Sequence, residues 1–170
     1  RGAGAGAGAA RRKTPQTLTI PEVQRRFVGK RVAGDGSCLF HSIVVGMSGK
    51  NTGYKRAGNA LRKKTATYLR QNARKYERRW IPDDKTVEQY ADGIERGEYG
   101  DELEVRLLSE MLNCAIEVYN VRPDKAVGLT QYGSNNSRTV HILRSNNHYY
   151  SLLPLLPRQE SNSDSETSIH

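Results

Sequence analysis

Two glycines bracket an aspartate, a serine follows, and a cysteine opens an apolar run: Gly34-Asp35-Gly36-Ser37-Cys38-Leu39-Phe40-His41-Ser42-Ile43. No other stretch constrains the chain as tightly. Gly34 and Gly36 permit backbone angles that side chains resist, and Asp35 and Ser37 are good helix-start caps. Leu39, Phe40, Ile43, Val44 and Met47 then recur at helical spacing. Cys38 is therefore expected in the first turn of a buried helix. Unpaired N–H groups and the positive end of the helix dipole meet there, and both favour a thiolate. The same N–H groups can hold an oxyanion. An isolated Gly-x-Cys is more often a buried, inert thiol, so a second signal has to shift the balance.

That signal is Ser145-Asn146-Asn147-His148-Tyr149-Tyr150-Ser151-Leu152-Leu153. A thiol nucleophile needs a base, and the base can lie far away in sequence. His148 stands where a polar turn gives way to an apolar strand, which places its ring at a strand end, open to a cleft. His41 lies one helical turn after Cys38 and reads as a packing or hydrogen-bonding residue. His141 lies mid-strand with no partner motif, and His170 falls in the tail.

The run Asp-Gly-Ser-Cys-Leu-Phe (35–40), followed by Asn-His-Tyr (147–149), resembles the ovarian tumour (OTU) family of papain-like cysteine proteases. The segment Glu98-Tyr99-Gly100-Asp101-Glu102-Leu103-Glu104 is similar to that family's aromatic-Gly-x-x-Glu-Leu element. The likeness covers residues 27–155. It implies an α+β, papain-like fold with helices packed on a small central β-sheet, Cys38 as nucleophile, His148 as general base and Asp35 as the motif acid. The sequence departs from the family at Tyr150, where an Asp or Asn usually orients the imidazole. Asp35 then either bonds to His148 or holds the oxyanion loop through backbone N–H groups, and Asn146 or Asn147 is the alternative orienting group. The resemblance implies an oxyanion hole built from the N–H groups of Cys38 and the 35–37 loop.

The implied activity is a thiol-dependent deubiquitinase, hydrolysing isopeptide bonds after the C-terminal glycine of ubiquitin or a ubiquitin-like protein. Ubiquitin's tail carries arginines, so Glu95, Glu98, Asp101 and Glu102 are candidate acids beside the cleft. A competing expectation is a polyprotein-processing cysteine protease of a viral or mobile-element chain. It is prompted by the lack of an opening methionine, which reads as a piece of a longer polypeptide. The other is a catalytically weak module that binds ubiquitin or RNA.

Composition bounds these choices. The chain of 170 residues suits one domain, and its two cysteines give neither a disulfide framework nor a paired zinc motif. No cofactor or metal is expected, no apolar run is long enough for a membrane, and a monomeric, intracellular protein follows, cytoplasmic with the nucleus as alternative. Cys114 sits at an apolar helix-to-strand junction and reads as core. The net charge of +9 concentrates between Lys55 and Arg79. It reads first as the solvated face of a long helix, and second as a surface for weak nucleic-acid contact. Residues 1–19 read as a flexible Gly/Ala and basic linker, 20–157 as the protease domain, and 158–170 as a disordered, Ser-rich acidic tail.

Within the domain, Ile20–Val28 reads as a short helical entry with Pro21 near its start. Helices are expected from Cys38 to around Gly46–Gly49, from Tyr54 to Trp80, from Thr86 to Arg96, and after an Asp101 cap. Strands are expected at Ala115–Val121, Val127–Tyr132, Arg138–Arg144 and His148–Leu153, so the order is helices first and sheet later.

Overall fold

The computed structural model describes residues 17–20, 25–134 and 138–155, with side chains from Phe27 onward. The Gly-Ala segment, the acidic tail and His170 lie outside the described residues. Strands β1 (Thr17–Ile20) and β2 (Arg25–Arg31) come first. Five helices follow: α1 (Cys38–Ser48), α2 (Tyr54–Gln71), α3 (Ala73–Trp80), α4 (Val87–Arg96) and α5 (Glu102–Leu112). The chain then forms β3 (Ala115–Val121), β4 (Val127–Tyr132), β5 (Thr139–Ser145) and β6 (His148–Pro154). The six strands form one sheet in the order β1-β2-β6-β5-β3-β4. Only β3 and β5 run parallel; the other neighbours are antiparallel. The architecture is the expected α+β one, and no helix among the described residues is long and apolar enough to cross a membrane.

Two expectations fail at the N-terminal side. The helical entry over 20–28 is instead strand at Ile20 and from Arg25, with 21–24 outside the described residues. Helices therefore do not precede the whole sheet, and β1 begins inside the stretch read as linker. β2 is held by its partner, pairing Phe27 with Pro154 and Arg31 with Tyr150 of β6. Such pairing overrides weak local preference. The long helix expected from Tyr54 to Trp80 breaks at Asn72. The Asn72 side chain donates to the Tyr68 carbonyl at 2.8 Å, and its own N–H bonds the Tyr68 and Leu69 carbonyls. An asparagine that competes for its own helix's carbonyls favours a stop.

The other helix ends follow from local chemistry. Gly49 ends α1 in the left-handed region (φ 69°). Thr86 opens α4 by accepting from Gln89 N–H at 3.1 Å, and Gln89 returns a bond to Thr86 N–H at 2.9 Å. Glu104 accepts from Asp101 N–H at 2.8 Å at the start of α5.

All five helices pack on one side of the sheet. Leu39, Phe40, Ile43, Leu107 and Leu108 are buried with Ile116, Val118, Val140 and Ile142 in one core. Alternate residues of the same strands build the other face around Phe27, Tyr119 and Leu152. There His141 Nδ1 bonds Glu117 Oε2 at 2.8 Å, and the Tyr119 hydroxyl donates to the same oxygen at 2.8 Å. His141, which no sequence motif marks, thus belongs to a buried polar group on the far side of the sheet.

Gly58 lies within α2 and makes room for His41. A Cβ at Gly58 would lie 2.2 Å from His41 Nδ1 and 3.1 Å from its backbone nitrogen. Gly58→Ala should therefore destabilise the protein by about 1–3 kcal/mol through overpacking, although alanine alone favours a helix by about 1 kcal/mol. Urea denaturation checks the sign; a more stable variant contradicts the packing argument.

Candidate active site

The loop before Cys38 is held by side chains of α1 and α2. Gly36 sits at φ 82°, and a Cβ there would meet the Gly97 carbonyl oxygen at 2.7 Å, so the position needs glycine on both counts. Asp35 Oδ1 accepts from Ser37 N–H at 3.1 Å, and both carboxylate oxygens contact His41 Nε2, at 3.1 and 3.2 Å. His41 is fully buried and stands edge-on to Tyr54. Burial pushes the Asp35 carboxyl up, but the His41 bond, the Ser37 N–H and the His41 charge outweigh it and hold the group below its ordinary 3.8.

Asp35 thereby clips the loop to His41. It also occupies the Ser37 N–H. Ser37 is the residue before α1, but its hydroxyl makes no capping bond.

That hydroxyl instead accepts from Arg62. Arg62, on α2, is 3% exposed. Its Nε–H donates to Ser37 Oγ at 3.1 Å, Nη1–H donates to the carbonyls of Ile94 (2.7 Å) and Glu98 (2.8 Å), and Nη2–H donates to the Gly36 carbonyl. The guanidinium also lies 4.5 Å over the Phe40 ring. Burial pulls its pKa down, and the nearby Glu104, Cys38 and Asp35 charges oppose this. Arg62 was expected on a solvated basic face. The signal that points inward is its spacing with Thr65, Ala66 and Leu69, three to seven residues on, all of them buried.

Arg70 also leaves that face. It bonds Glu88, Asp92 and Glu95, each at 2.7 Å. Lys75 bonds Glu110 at 2.6 Å. Lys55, Arg56, Lys63, Lys64, Arg74, Arg78 and Arg79 stay exposed along α2 and α3.

Cys38 opens α1 and is 2% exposed. His148 opens β6 after a two-residue turn in which Asn146 takes φ 54°. The half-buried ring rests on the start of the loop before Cys38, where a Cβ at Gly34 would lie 3.6 Å from Nδ1 and 3.7 Å from Cε1. His148 Nε2 is buried and has no hydrogen-bond partner among the described residues. The Val32 backbone beside the ring acts to raise its pKa. Burial is the larger influence and lowers the pKa; the Arg31 charge adds to it, and the net direction is down.

Tyr150 does not orient the ring by a carboxylate or amide. It meets the ring edge-on at 4.6 Å between centroids. Asn146 and Asn147 are exposed in the turn. Beside His148, Tyr149 stacks on Tyr99 at 5.7 Å. Cys114, the other thiol, is buried, and burial pushes its pKa up.

The four candidate acids fall into two pairs. Glu95 is held by Arg70, and Asp101 by Arg144 at 2.6 Å. Glu98 and Glu102 are more loosely engaged: Glu98 with Arg96 at 3.5 Å and Lys85 at 3.7 Å, and Glu102 with Arg106 at 3.9 Å.

Asp35→Asn should lower stability at neutral pH by no more than about 1 kcal/mol, because the carboxylate is 44% exposed. The depressed pKa fixes the sign: the contribution is present above the ordinary 3.8 and disappears as pH falls through the folded value. Thermal melts of the wild type and the variant should therefore converge in acid. A gap that persists there contradicts an ionic origin.

Three comparisons bear on the site. A family model described as OTU-like cysteine protease matches residues 33–153. No curated protein sequence matches the chain. Among solved structures, an OTU domain in complex with ubiquitin aligns with TM-score 0.65 at 21% identity, over 91% of this chain and 88% of that one. The Hazara virus OTU bound to ubiquitin aligns with TM-score 0.64 at 22% identity, over 85% and 89%. The OTU domain of OTUD1 aligns with TM-score 0.63 at 18% identity, over 75% and 85%. These likenesses show a shared fold.

Proposed function

The chain belongs to the OTU-like cysteine protease family, and on that premise we propose that it is a thiol-dependent deubiquitinase acting at the C-terminal glycine of ubiquitin or a ubiquitin-like protein. The observation that carries the reading is the His148 ring packed on Gly34, at the entry of the loop that delivers Cys38. The ubiquitin bound in two of the similar structures supports the substrate class.

In the proposed reaction, the Cys38 thiol proton passes to the neutral His148 ring and Sγ attacks the glycine carbonyl. An oxyanion forms, held by loop N–H groups other than that of Ser37. The C–N bond then breaks, and the leaving lysine amine takes the proton from His148. Water gives a proton to His148 and attacks the thioester, which releases the carboxylate and restores the thiol. Glu98 and Glu102 are the acids best placed by their loose pairing to meet the arginines of a ubiquitin tail.

A binding-only reading is favoured by one feature, Tyr150 in place of an orienting acid. It differs in predicting capture of ubiquitin by the folded wild type without turnover.

A ubiquitin carrying a fluorogenic C-terminal amide tests the enzyme reading. The wild type should release the fluorophore, Cys38→Ala should fall to background, and His148→Ala should lose about 10²–10⁴-fold. Undiminished cleavage by Cys38→Ala would remove the cysteine from the mechanism. His148 must be neutral to accept the proton, and its pKa is held below 6.5, so the acid limb of kcat/KM should lie below that pH. Arg31→Gln removes a charge that disfavours the imidazolium, so the limb should move to higher pH. A shift to lower pH, or none, contradicts His148 as the base.

A further inference from the structure

Arg62 joins parts of the site that are distant in sequence. Its donors reach the loop before Cys38 at Gly36 and Ser37, and the end of α4 and the turn beyond it at Ile94 and Glu98. Those segments also touch directly, since the Gly97 carbonyl fills the space where a Gly36 side chain would be. The turn continues into Tyr99, which stacks on Tyr149, the neighbour of His148. Arg144 lies over both rings, at 5.8 Å from each, and bonds Asp101. One guanidinium thus ties the Cys38 loop to the wall that supports the His148 strand.

Other cations cannot replace it. A lysine offers one nitrogen on a flexible stem, whereas four acceptors here are met by the planar fork of a guanidinium. The acceptors are three carbonyls and a hydroxyl, so the bonds hold backbone in place rather than neutralise a carboxylate. The side chain sits between Phe40, two residues after Cys38, and Ser37, immediately before it.

We propose that Arg62 is a positioning residue for the proposed reaction: by clamping Gly36 and Ser37 to the α4–α5 turn it sets the approach of Cys38 to His148. The proposal rests on Cys38 and His148 acting as nucleophile and base, so its test includes a readout that needs no substrate. Amide hydrogen exchange of the peptide spanning residues 33–38 should quicken at least about tenfold in Arg62→Met, with the core strands β3 and β5 unchanged. Arg62→Lys should fall between that variant and the wild type. On the ubiquitin amide, Arg62→Met should lose about 10–100-fold in kcat, the scale of a small misplacement of reacting groups, with KM within about threefold.

If Arg62→Met does not fold, Arg62→Lys and Ser37→Ala decide by the same criteria, Ser37→Ala removing only the Nε–H bond. Loop exchange and kcat both within about twofold of wild type in a folded Arg62 variant would overturn the proposal. A wild type inactive on ubiquitin would sink the deubiquitinase reading but leave the exchange result to judge the clamp.

Discussion

The buried guanidinium of Arg62 is the interaction on which the site depends. Burying a charge is costly unless it is hydrogen-bonded, and removing its partners is costlier than never having buried it. Here the cost is offset by three backbone carbonyls, the Ser37 hydroxyl and the face of Phe40. Those acceptors converge only when the loop at 34–37 and the turn after α4 take one arrangement. Gly36 at φ 82° and Gly97 at φ 104° allow it, and residues with side chains would be strained at both. A packing requirement of the core thereby becomes a constraint on the residue before Cys38.

The candidate nucleophile and the candidate base come from different layers. Cys38 is placed by the helix layer, because α1 ends its loop and buries Leu39, Phe40 and Ile43. His148 is placed by the sheet, because β6 pairs with both β2 and β5 and begins where their ladders end. The pairing of β2 with β6 ends at Arg31 and Tyr150, two residues beyond His148.

Much of this was legible in the chain, for reasons that are local. The start of α1, the Thr86 and Asp101 helix starts and the four C-terminal strands follow from caps, turns and periodicity within a few residues. What was not legible depends on partners far away. β2 becomes a strand because β6 lies beside it, not because Arg25–Arg31 alternates in hydrophobicity. Asp35 meets His41 because Gly58, on another helix, leaves space for the ring. Arg62 was hidden among surface cations, since only its spacing with Thr65, Ala66 and Leu69 marks it as buried. His141 gains Glu117 across the parallel β3–β5 pair, a register that no motif signals.

The most direct test of the account is reaction of the folded protein with ubiquitin whose C-terminus carries a cysteine-trapping electrophile, followed by intact-mass analysis and localisation of the modified residue. The account predicts addition of a single ubiquitin at Cys38, lost in Cys38→Ala and slowed in His148→Ala. A folded wild type that forms no adduct with ubiquitin or ubiquitin-like probes, or one modified at Cys114 instead, would contradict it.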